Sequence, residues 1–311
     1  MIDLHVHTSM SDGTYSPAEV VEMARKKGLR AIAITDHDTV AGVEPARRAA
    51  ADSGVEIVPG VEMSTEWPRG IMHILGYFID VEHAPLLEAL EYLRAGRMDR
   101  IPRIVEKLRG CNVVISADEV QREAVGGAPG RPHVAEIMVR QGYVRTIQEA
   151  FDRYLRKGAP AFVDKRKTSP RRAIRLIVEA GGLAVLAHPY SLGSDADAEL
   201  ERILEELMEY GLRGIEAYYP RHTEPQARLY LNLAKKLNLA ITGGTDFHGA
   251  TKPEIELGRI PGHDPLPYSI LDNLRNAHSL GTNTRKDDLR GNASDGAALQ
   301  SSAPSHTGAR P

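Results

Sequence analysis

Short apolar runs rich in Val and Ile alternate along this chain with segments of helical periodicity, which is typical of βα units around a sheet. Between the first two runs, Ser16-Pro17-Ala18-Glu19 offers a helix cap, a proline at the first helical position and a Glu three residues after the cap. The sequence therefore predicts a parallel sheet whose two halves form one barrel. We predict seven strands, at residues 2–7, 31–35, 56–63, 72–78, 183–188, 214–219 and 239–245.

The strand pattern lapses in the middle of the chain, where helical segments separated by Gly- and Pro-rich loops follow one another. We predict a small inserted helical domain at residues 97–166, within a barrel built from residues 1–96 and 167–284. Beyond this point the sequence is rich in Ser, Ala and Gly and lacks apolar periodicity. We therefore expect residues 285–311 to be a disordered tail.

The composition excludes several classes of partner. The 39 Lys and Arg residues are set against 42 Asp and Glu residues, so the formal net charge is −3 and offers no basic excess for duplex DNA or an anionic membrane. No apolar run approaches the roughly 18–20 residues that a membrane span requires. Cys111 has no cysteine partner in the chain, and the first residues lack the basic start and apolar core of a signal peptide. We expect a soluble cytoplasmic protein of undetermined oligomeric state.

Histidines and carboxylates collect near the ends of the predicted strands. His5 and His7 lie two residues apart, so both side chains leave the same face of the first strand, and Asp246 and His248 repeat this spacing at the seventh. Glu62 belongs to an apolar run in which an unpaired carboxylate is costly to bury. The carboxyl ends of parallel barrel strands converge on one mouth. We expect seven residues to meet there: His5, His7, His37, Glu62, His188, Asp246 and His248.

The donors at these strand ends are imidazoles and carboxylates, without a thiolate, which favours Zn²⁺, Mn²⁺ or Fe²⁺ over Ca²⁺ or a structural zinc site. Taken singly, each residue is compatible with an ordinary buried or solvated side chain. Together with His73, which opens the fourth strand, these residues offer more potential ligands than one ion can bind. Clustered ions of this kind recur in the hydrolysis of phosphate esters. The sequence therefore predicts more than one divalent ion per chain.

Six short motifs together resemble the PHP (polymerase and histidinol phosphatase) superfamily. They are Asp-Leu-His-Val-His-Thr at 3–8, Ser-Asp-Gly at 11–13, Thr-Asp-His-Asp at 35–38, Gly-Val-Glu at 60–62, His-Pro at 188–189 and Thr-Asp-Phe-His at 245–248. The resemblance extends to about Thr284. It implies an α/β fold, a distorted seven-stranded β/α barrel, with a metal centre of two or three Mn, Fe or Zn ions.

The same resemblance implies a role for nine residues of this chain. One ion would be held by His5, His7, Glu62 and Asp246, which would also hold the metal-bound hydroxide that attacks phosphorus. Glu62 would bridge to a second ion bound by His73 and His188. A third ion would be held by Asp12, His37 and His248.

Two motifs of the predicted insertion resemble one group of enzymes within this superfamily. Gly-Arg-Pro-His at 130–133 and Tyr-Leu-Arg-Lys-Gly at 154–158 are similar to the PHP enzymes that remove a phosphate from nucleoside 3′,5′-bisphosphates, and to related 5′→3′ exoribonucleases. The resemblance implies a nucleotide such as adenosine 3′,5′-bisphosphate, or short 5′-phosphorylated RNA, as substrate. A phosphatase of sugar or amino-alcohol phosphates, of the histidinol phosphate type, and a non-catalytic metal-binding module are the alternatives.

Candidate substrate contacts lie in the insertion and after the sixth strand. The guanidinium of Arg131 can meet two phosphate oxygens, with His133 as a second donor, although a surface Arg beside a helix start has the same sequence. Lys165 lies in a short basic run that either attracts a phosphate or is simply solvated. A base-stacking or phosphate role competes with loop packing for three residues after the sixth strand: Tyr219, Arg221 and His222.

Overall fold

A seven-stranded sheet carries the fold in the computed structural model, which describes residues 1–124, 129–164, 166–193, 196–263 and 265–280. The strands lie side by side in chain order. They are β1 Ile2–Val6, β2 Ala31–Ile34, β3 Glu56–Thr65, β4 Met72–Tyr77, β5 Leu183–Leu186, β6 Leu212–Tyr218 and β7 Ala240–Gly243. The seven predicted strands are confirmed. Their ends differ from the predicted ones by one or two residues, and His7 and His188 lie just beyond the ends of β1 and β5.

The direction of β4 corrects the predicted parallel sheet. β4 is antiparallel to both β3 and β5, whereas the other neighbouring strands pair in parallel. The physical reason is the connection at residues 66–71, since a parallel crossover needs about a dozen residues or more. The reversal places the start of β4, and with it His73, beside the ends of the parallel strands.

The two edges of the sheet approach each other. Val6 forms an isolated parallel bridge with Phe247, just after β7. The backbone N–H of His7 donates to Phe247 O at 3.0 Å, and that of Phe247 donates to His5 O at 3.4 Å. The predicted fold class, an α/β fold with a distorted seven-stranded barrel, is therefore confirmed.

Helices follow the strands as the sequence pattern predicts. At the first helix Ser16 Oγ accepts from Glu19 N at 3.3 Å, and the Glu19 carboxylate accepts from Ser16 N at 2.7 Å, so the predicted cap is confirmed. The helices are α1 Pro17–Lys26, α2 Val43–Ala50, α3 Ala84–Met98, α4 Arg100–Arg109, α5 Ala117–Glu123, α6 Arg131–Arg140, α7 Ile147–Ala150, α8 Pro170–Glu179, α9 Ala196–Tyr210 and α10 Glu224–Lys236, with a further helix at residues 269–280. A π-helical turn, Phe151–Leu155, continues α7.

The helices between β4 and β5 divide between two hydrophobic clusters. α3 packs on the barrel core through Leu86, Leu90 and Leu93. From Ile101 to Val163 the buried apolar side chains form a separate cluster, which shares no described residue with the barrel clusters. The inserted domain at 97–166 stays a prediction, and this separation is consistent with it.

Two further predictions concern the C-terminal tail and membrane-spanning helices. The tail predicted at residues 285–311 lies outside the described residues. Within the described ranges, none of the helices combines the length and the apolar character that a membrane-spanning helix requires.

Candidate metal centre

The predicted metal ligands meet around the carboxylate of Glu62, which is fully buried near the end of β3. Glu62 Oε1 lies 2.7 Å from His73 Nδ1 and 2.9 Å from His188 Nε2. Glu62 Oε2 lies 3.1–3.2 Å from three other imidazole nitrogens: His5 Nε2, His7 Nε2 and His37 Nδ1. One carboxylate thus faces five imidazoles, an arrangement suited to bridging two cations.

Two aspartates extend this cluster away from Glu62. Asp246 Oδ1 lies 3.1 Å from His7 Nε2 and 3.3 Å from His248 Nδ1. Asp12 Oδ1 lies 3.2 Å from His248 Nε2 and 3.8 Å from His7 Nδ1. The fold therefore brings all nine predicted ligands together at the barrel mouth.

The donor atoms have the spacing of metal-ligand sets. They form three groups whose ligand atoms lie within 4.8 Å of one another: His5, His7, Glu62 and Asp246; His7, Asp12, His37 and His248; His37, Glu62 and His73. His7, His37 and Glu62 each belong to two groups and His188 to none, so the ion to which each contributes stays a prediction.

Several buried atoms of the cluster have no hydrogen-bond partner in the described part of the chain. They are His5 Nε2, both ring nitrogens of His7, Asp12 Oδ1, His37 Nδ1 and Glu62 Oε2. A buried polar atom without a partner costs about 1–3 kcal/mol, and a bound cation would satisfy these atoms. Because the atoms are imidazole nitrogens and carboxylate oxygens, the residues present fit divalent metal ions.

Burial and neighbouring charges shift the pKa values of the cluster. Burial alone would raise the pKa of Glu62, but His37, His73 and His5 hold it well below its usual range. For His7, burial lowers the pKa, and the nearby carboxylates of Asp246 and Glu62 outweigh this effect and raise it to about 9. The Glu62 carboxylate is therefore ionised at neutral pH and supplies the negative charge that divalent cations require.

The loop that carries Asp12 is held in place by hydrogen bonds to Asp36, which is buried. Asp36 Oδ1 accepts from Thr8 N at 2.7 Å and from Ser11 Oγ at 2.6 Å, while Asp36 Oδ2 accepts from Thr8 Oγ1 at 2.7 Å. Burial raises the pKa of the Asp36 carboxyl. The motif around residues 35–38 therefore supplies one candidate ligand, His37, and one support, Asp36, for the loop that carries Asp12.

Two side chains that contact the candidate ligands were not predicted from the sequence. Glu216, fully buried in β6, places Oε1 at 2.9 Å from His5 Nδ1 and accepts from His188 N through Oε2 at 2.8 Å. Its signal was the one used for Glu62, a carboxylate inside an apolar strand. The other is Lys252, whose Nζ donates to Asp246 Oδ2 at 2.7 Å. A loop lysine carries no comparable signal in the sequence.

A cavity of about 790 Å³ joins the metal-ligand candidates to the helices of the predicted insertion. Asp12, His37, His73 and His248 line its barrel end. Among its described lining residues, three are carboxylates, Asp12, Asp164 and Glu254, and seven are cationic: Arg100, Arg131, Arg156, Lys157, Lys167, Arg221 and Lys252. In a chain of net negative charge, this concentration of cations favours an anionic ligand.

Two of the predicted substrate contacts line this cavity. Arg131, at the start of α6, donates from Nη1 to Leu155 O at 3.0 Å, and its guanidinium carbon lies 5.5 Å from the ring centre of Phe151. Arg221 donates from Nη2 to Glu254 Oε1 at 3.0 Å. Both guanidinium groups are therefore positioned within the wall of the cavity.

Three other predicted contacts have protein partners and are not among the residues that line the cavity. His133 Nδ1 accepts from Gly130 N at 2.9 Å, His222 Nδ1 lies 2.9 Å from Ala217 O, and Tyr219 OH donates to Asp246 Oδ2 at 2.9 Å. Their contacts with substrate stay predictions. Lys165 lies outside the described residues.

Comparisons with known proteins agree with this fold. Residues 3–157 match the PHP domain model. The 5′-3′ exoribonuclease Rnm of Escherichia coli is 34% identical, over 83% of this chain and 88% of the relative. The 3′,5′-nucleoside bisphosphate phosphatase of Chromobacterium violaceum is 33% identical, over 86% of this chain and 92% of the relative. A solved structure from Bifidobacterium adolescentis, assigned as a metal-dependent phosphoesterase, superposes with a TM-score of 0.79 at 29% identity, over 89% of this chain and 96% of that chain.

Proposed function

Because the chain belongs to the PHP domain family and is a metal-dependent phosphoesterase, we propose that it hydrolyses a phosphate monoester of a nucleoside 3′,5′-bisphosphate. In this reaction water adds to phosphorus, the P–O ester bond breaks, and the products are inorganic phosphate and a nucleoside monophosphate. The relative from Chromobacterium violaceum supports this substrate class.

The observation that carries the proposal is the two-ended cavity. Metal-ligand candidates line one end, and Arg100, Arg131 and the start of α6 line the other. A substrate with two phosphate groups matches this arrangement, with one group at the barrel mouth and the second at the helix start. A helix N-terminus with an adjacent guanidinium binds a phosphate through both its N–H groups and its dipole.

We propose two or three ions, held as the resemblance implies: by His5, His7, Glu62 and Asp246; by Glu62, His73 and His188; and by Asp12, His37 and His248. Divalent ions at such a site supply Lewis acidity and lower the pKa of bound water. The carboxylates of this chain set the charge of the mouth, and Glu216 orients His5 through Nδ1. Arg131 holds the second phosphate and so aligns the scissile ester with the mouth.

Short 5′-phosphorylated RNA is a second candidate substrate. Arg156, Lys157 and Lys167 line the same cavity in addition to the cations at the start of α6. They offer charge for more phosphates than a bisphosphate carries. The exoribonuclease of Escherichia coli, at 34% identity, supports this candidate to a similar extent.

A substrate panel tests the proposal. Phosphate release by the Mn²⁺-supplied protein is measured on adenosine 3′,5′-bisphosphate, on each adenosine monophosphate and on histidinol phosphate, and nucleotide release is measured on 5′-phosphorylated RNA of two to five nucleotides. We expect kcat/KM for the bisphosphate to exceed that for the monophosphates by about 10-fold or more, since a hydrogen bond to a charged group contributes about 1.5–3 kcal/mol. A higher value on histidinol phosphate would contradict the proposal, and a higher value on RNA would favour the second candidate.

A further inference from the structure

Lys252 is a cation at the edge of the metal centre that neither the sequence motifs nor the comparisons identify. Its Nζ donates to Asp246 Oδ2 at 2.7 Å, and its side chain is 28% exposed and lines the cavity. The exposure is decisive, because the Lys252 side chain is more enclosed than an ordinary solvated lysine and still forms part of the cavity lining. Lys252 is therefore placed to act on what binds there.

The local fold fixes this position. After Asp246 the chain makes a short 3-10 turn, Gly249–Thr251, and Lys252 N donates back to Gly249 O at 3.1 Å. Gly249 has φ +71°, and a Cβ there would collide with Thr14 and Tyr15. The turn returns the lysine to the aspartate six residues before it.

The contact with Asp246 does not use all the N–H groups of the Lys252 ammonium. Asp246 Oδ1 faces the imidazoles of His7 and His248, whereas Oδ2 already accepts from Tyr219 OH at 2.9 Å. An ammonium has three N–H groups, and within the described residues Asp246 is the hydrogen-bond partner of Lys252. The remaining N–H groups are available to a ligand at the cavity wall.

We propose that Lys252 binds an oxygen of the scissile phosphoryl group through the N–H groups that Asp246 does not use. This inference rests on the proposed function, since it assigns the contact to the phosphate that is hydrolysed. A dianionic phosphoryl group at the mouth brings its oxygens close to the carboxylates of the metal ligands. A lysine fixed at this edge offsets that repulsion and orients the group.

The test compares Lys252 with Lys236, a lysine of α10 that pairs with Glu201 and is not among the cavity-lining residues. Lys252→Met removes the ammonium, Lys236→Met removes the distant ammonium and leaves Lys252 in place, and Lys252→Arg keeps a cation. Binding of inorganic phosphate is measured by isothermal titration calorimetry at Mn²⁺ concentrations that give each variant the wild-type metal content. Thermal melts verify folding, and Lys252→Gln, which keeps an amide donor for Asp246, replaces Lys252→Met if the latter does not fold.

We expect Lys252→Met to weaken phosphate binding by about 10- to 150-fold, the loss of one hydrogen bond to a charged group. Lys236→Met should bind phosphate nearly as the wild type does, and Lys252→Arg should recover most of the loss. Equal weakening in Lys252→Met and Lys236→Met, or wild-type binding in Lys252→Met, would overturn the proposal. Because inorganic phosphate is a product of every phosphate monoester, this outcome is separate from the substrate panel, and either proposal can fail alone.

Discussion

The barrel mouth and the wall formed by the predicted insertion share one cavity but are built in different ways. At the mouth, imidazoles and carboxylates are buried together at short distances, as five imidazoles are around Glu62. At the other wall, long cationic side chains contact backbone carbonyls and aromatic rings, as Arg131 does with Leu155 O and Phe151. On the proposed function, we expect the mouth to determine which reaction occurs and the opposite wall to determine which substrate is selected.

The largest effect is expected from Glu62→Gln. This substitution keeps the size of the side chain but removes the charge that faces five imidazoles, so turnover should fall by more than about 100-fold on every substrate, since loss of an outer partner alone costs about 10- to 100-fold. Metal analysis and phosphate release are measured together. Glu66→Gln, an exposed position just beyond β3, is the matched control and should behave as the wild type. Normal turnover and metal content in Glu62→Gln would refute a metal centre organised by this carboxylate.

Arg131→Ala tests the opposite wall. We expect kcat/KM for the bisphosphate to fall by about 10- to 150-fold, which corresponds to a charged hydrogen bond of about 1.5–3 kcal/mol. Substrates without the second phosphate should lose much less. Arg153→Ala, which removes a guanidinium paired with Glu149 away from the cavity lining, is the control. Equal losses on both kinds of substrate, in a protein that still folds, would show that Arg131 does not bind the second phosphate.

Glu216→Gln should act on the mouth more mildly than Glu62→Gln. Glu216 touches His5 Nδ1 and His188 N, and the loss of such an outer partner weakens metal binding by about 10- to 100-fold. Competition with a metal-sensitive dye measures this affinity. Activity should return at high Mn²⁺, and activity that stays low at saturating metal would mean that Glu216 has another role.

The smallest effect concerns the stability of the predicted insertion. In α6, burial and then the negative charge of Glu123 raise the pKa of Glu136 to about 7. A raised pKa stabilises the folded state fully below the unfolded value near 4.5, and this contribution is lost as the pH rises through about 7. Urea unfolding at pH 5.5 and pH 8 should therefore show a loss of stability that Glu136→Gln reduces. An identical pH dependence in wild type and Glu136→Gln would contradict the shifted pKa.

The barrel mouth and the opposite cavity wall differ in how much of their structure could be predicted from the sequence. The spacing of His5 and His7 and the positions of Glu62 and Asp246 at strand ends carried enough information to predict that seven candidate ligands meet at one mouth, because period-two geometry and strand ends are local properties. The full set of nine, with Asp12, came from the resemblance to the PHP superfamily. By contrast, which residues line the opposite wall depends on the directions that long side chains take in the folded protein. The sequence therefore identified Arg131 as a candidate contact but could not show that His133 closes the first turn of α6.

The direction of β4 could not be read from hydrophobic runs, since an apolar strand has the same pattern in either direction. The loop at residues 66–71 carried the missing information, because its length permits only a hairpin. Lys252 was missed for a different reason. Its role depends on a 3-10 turn that returns it to Asp246, a tertiary contact that no motif encodes.

The most direct test of the central claim is phosphate release before and after the metal is removed from the mouth. The protein is stripped with a chelator, its metal content is measured by mass spectrometry, and release from adenosine 3′,5′-bisphosphate is followed before and after addition of Mn²⁺. We predict that the stripped protein stays folded and releases no phosphate, and that activity returns as two or three ions per chain are bound. Release at the original rate by the metal-free protein would contradict the account.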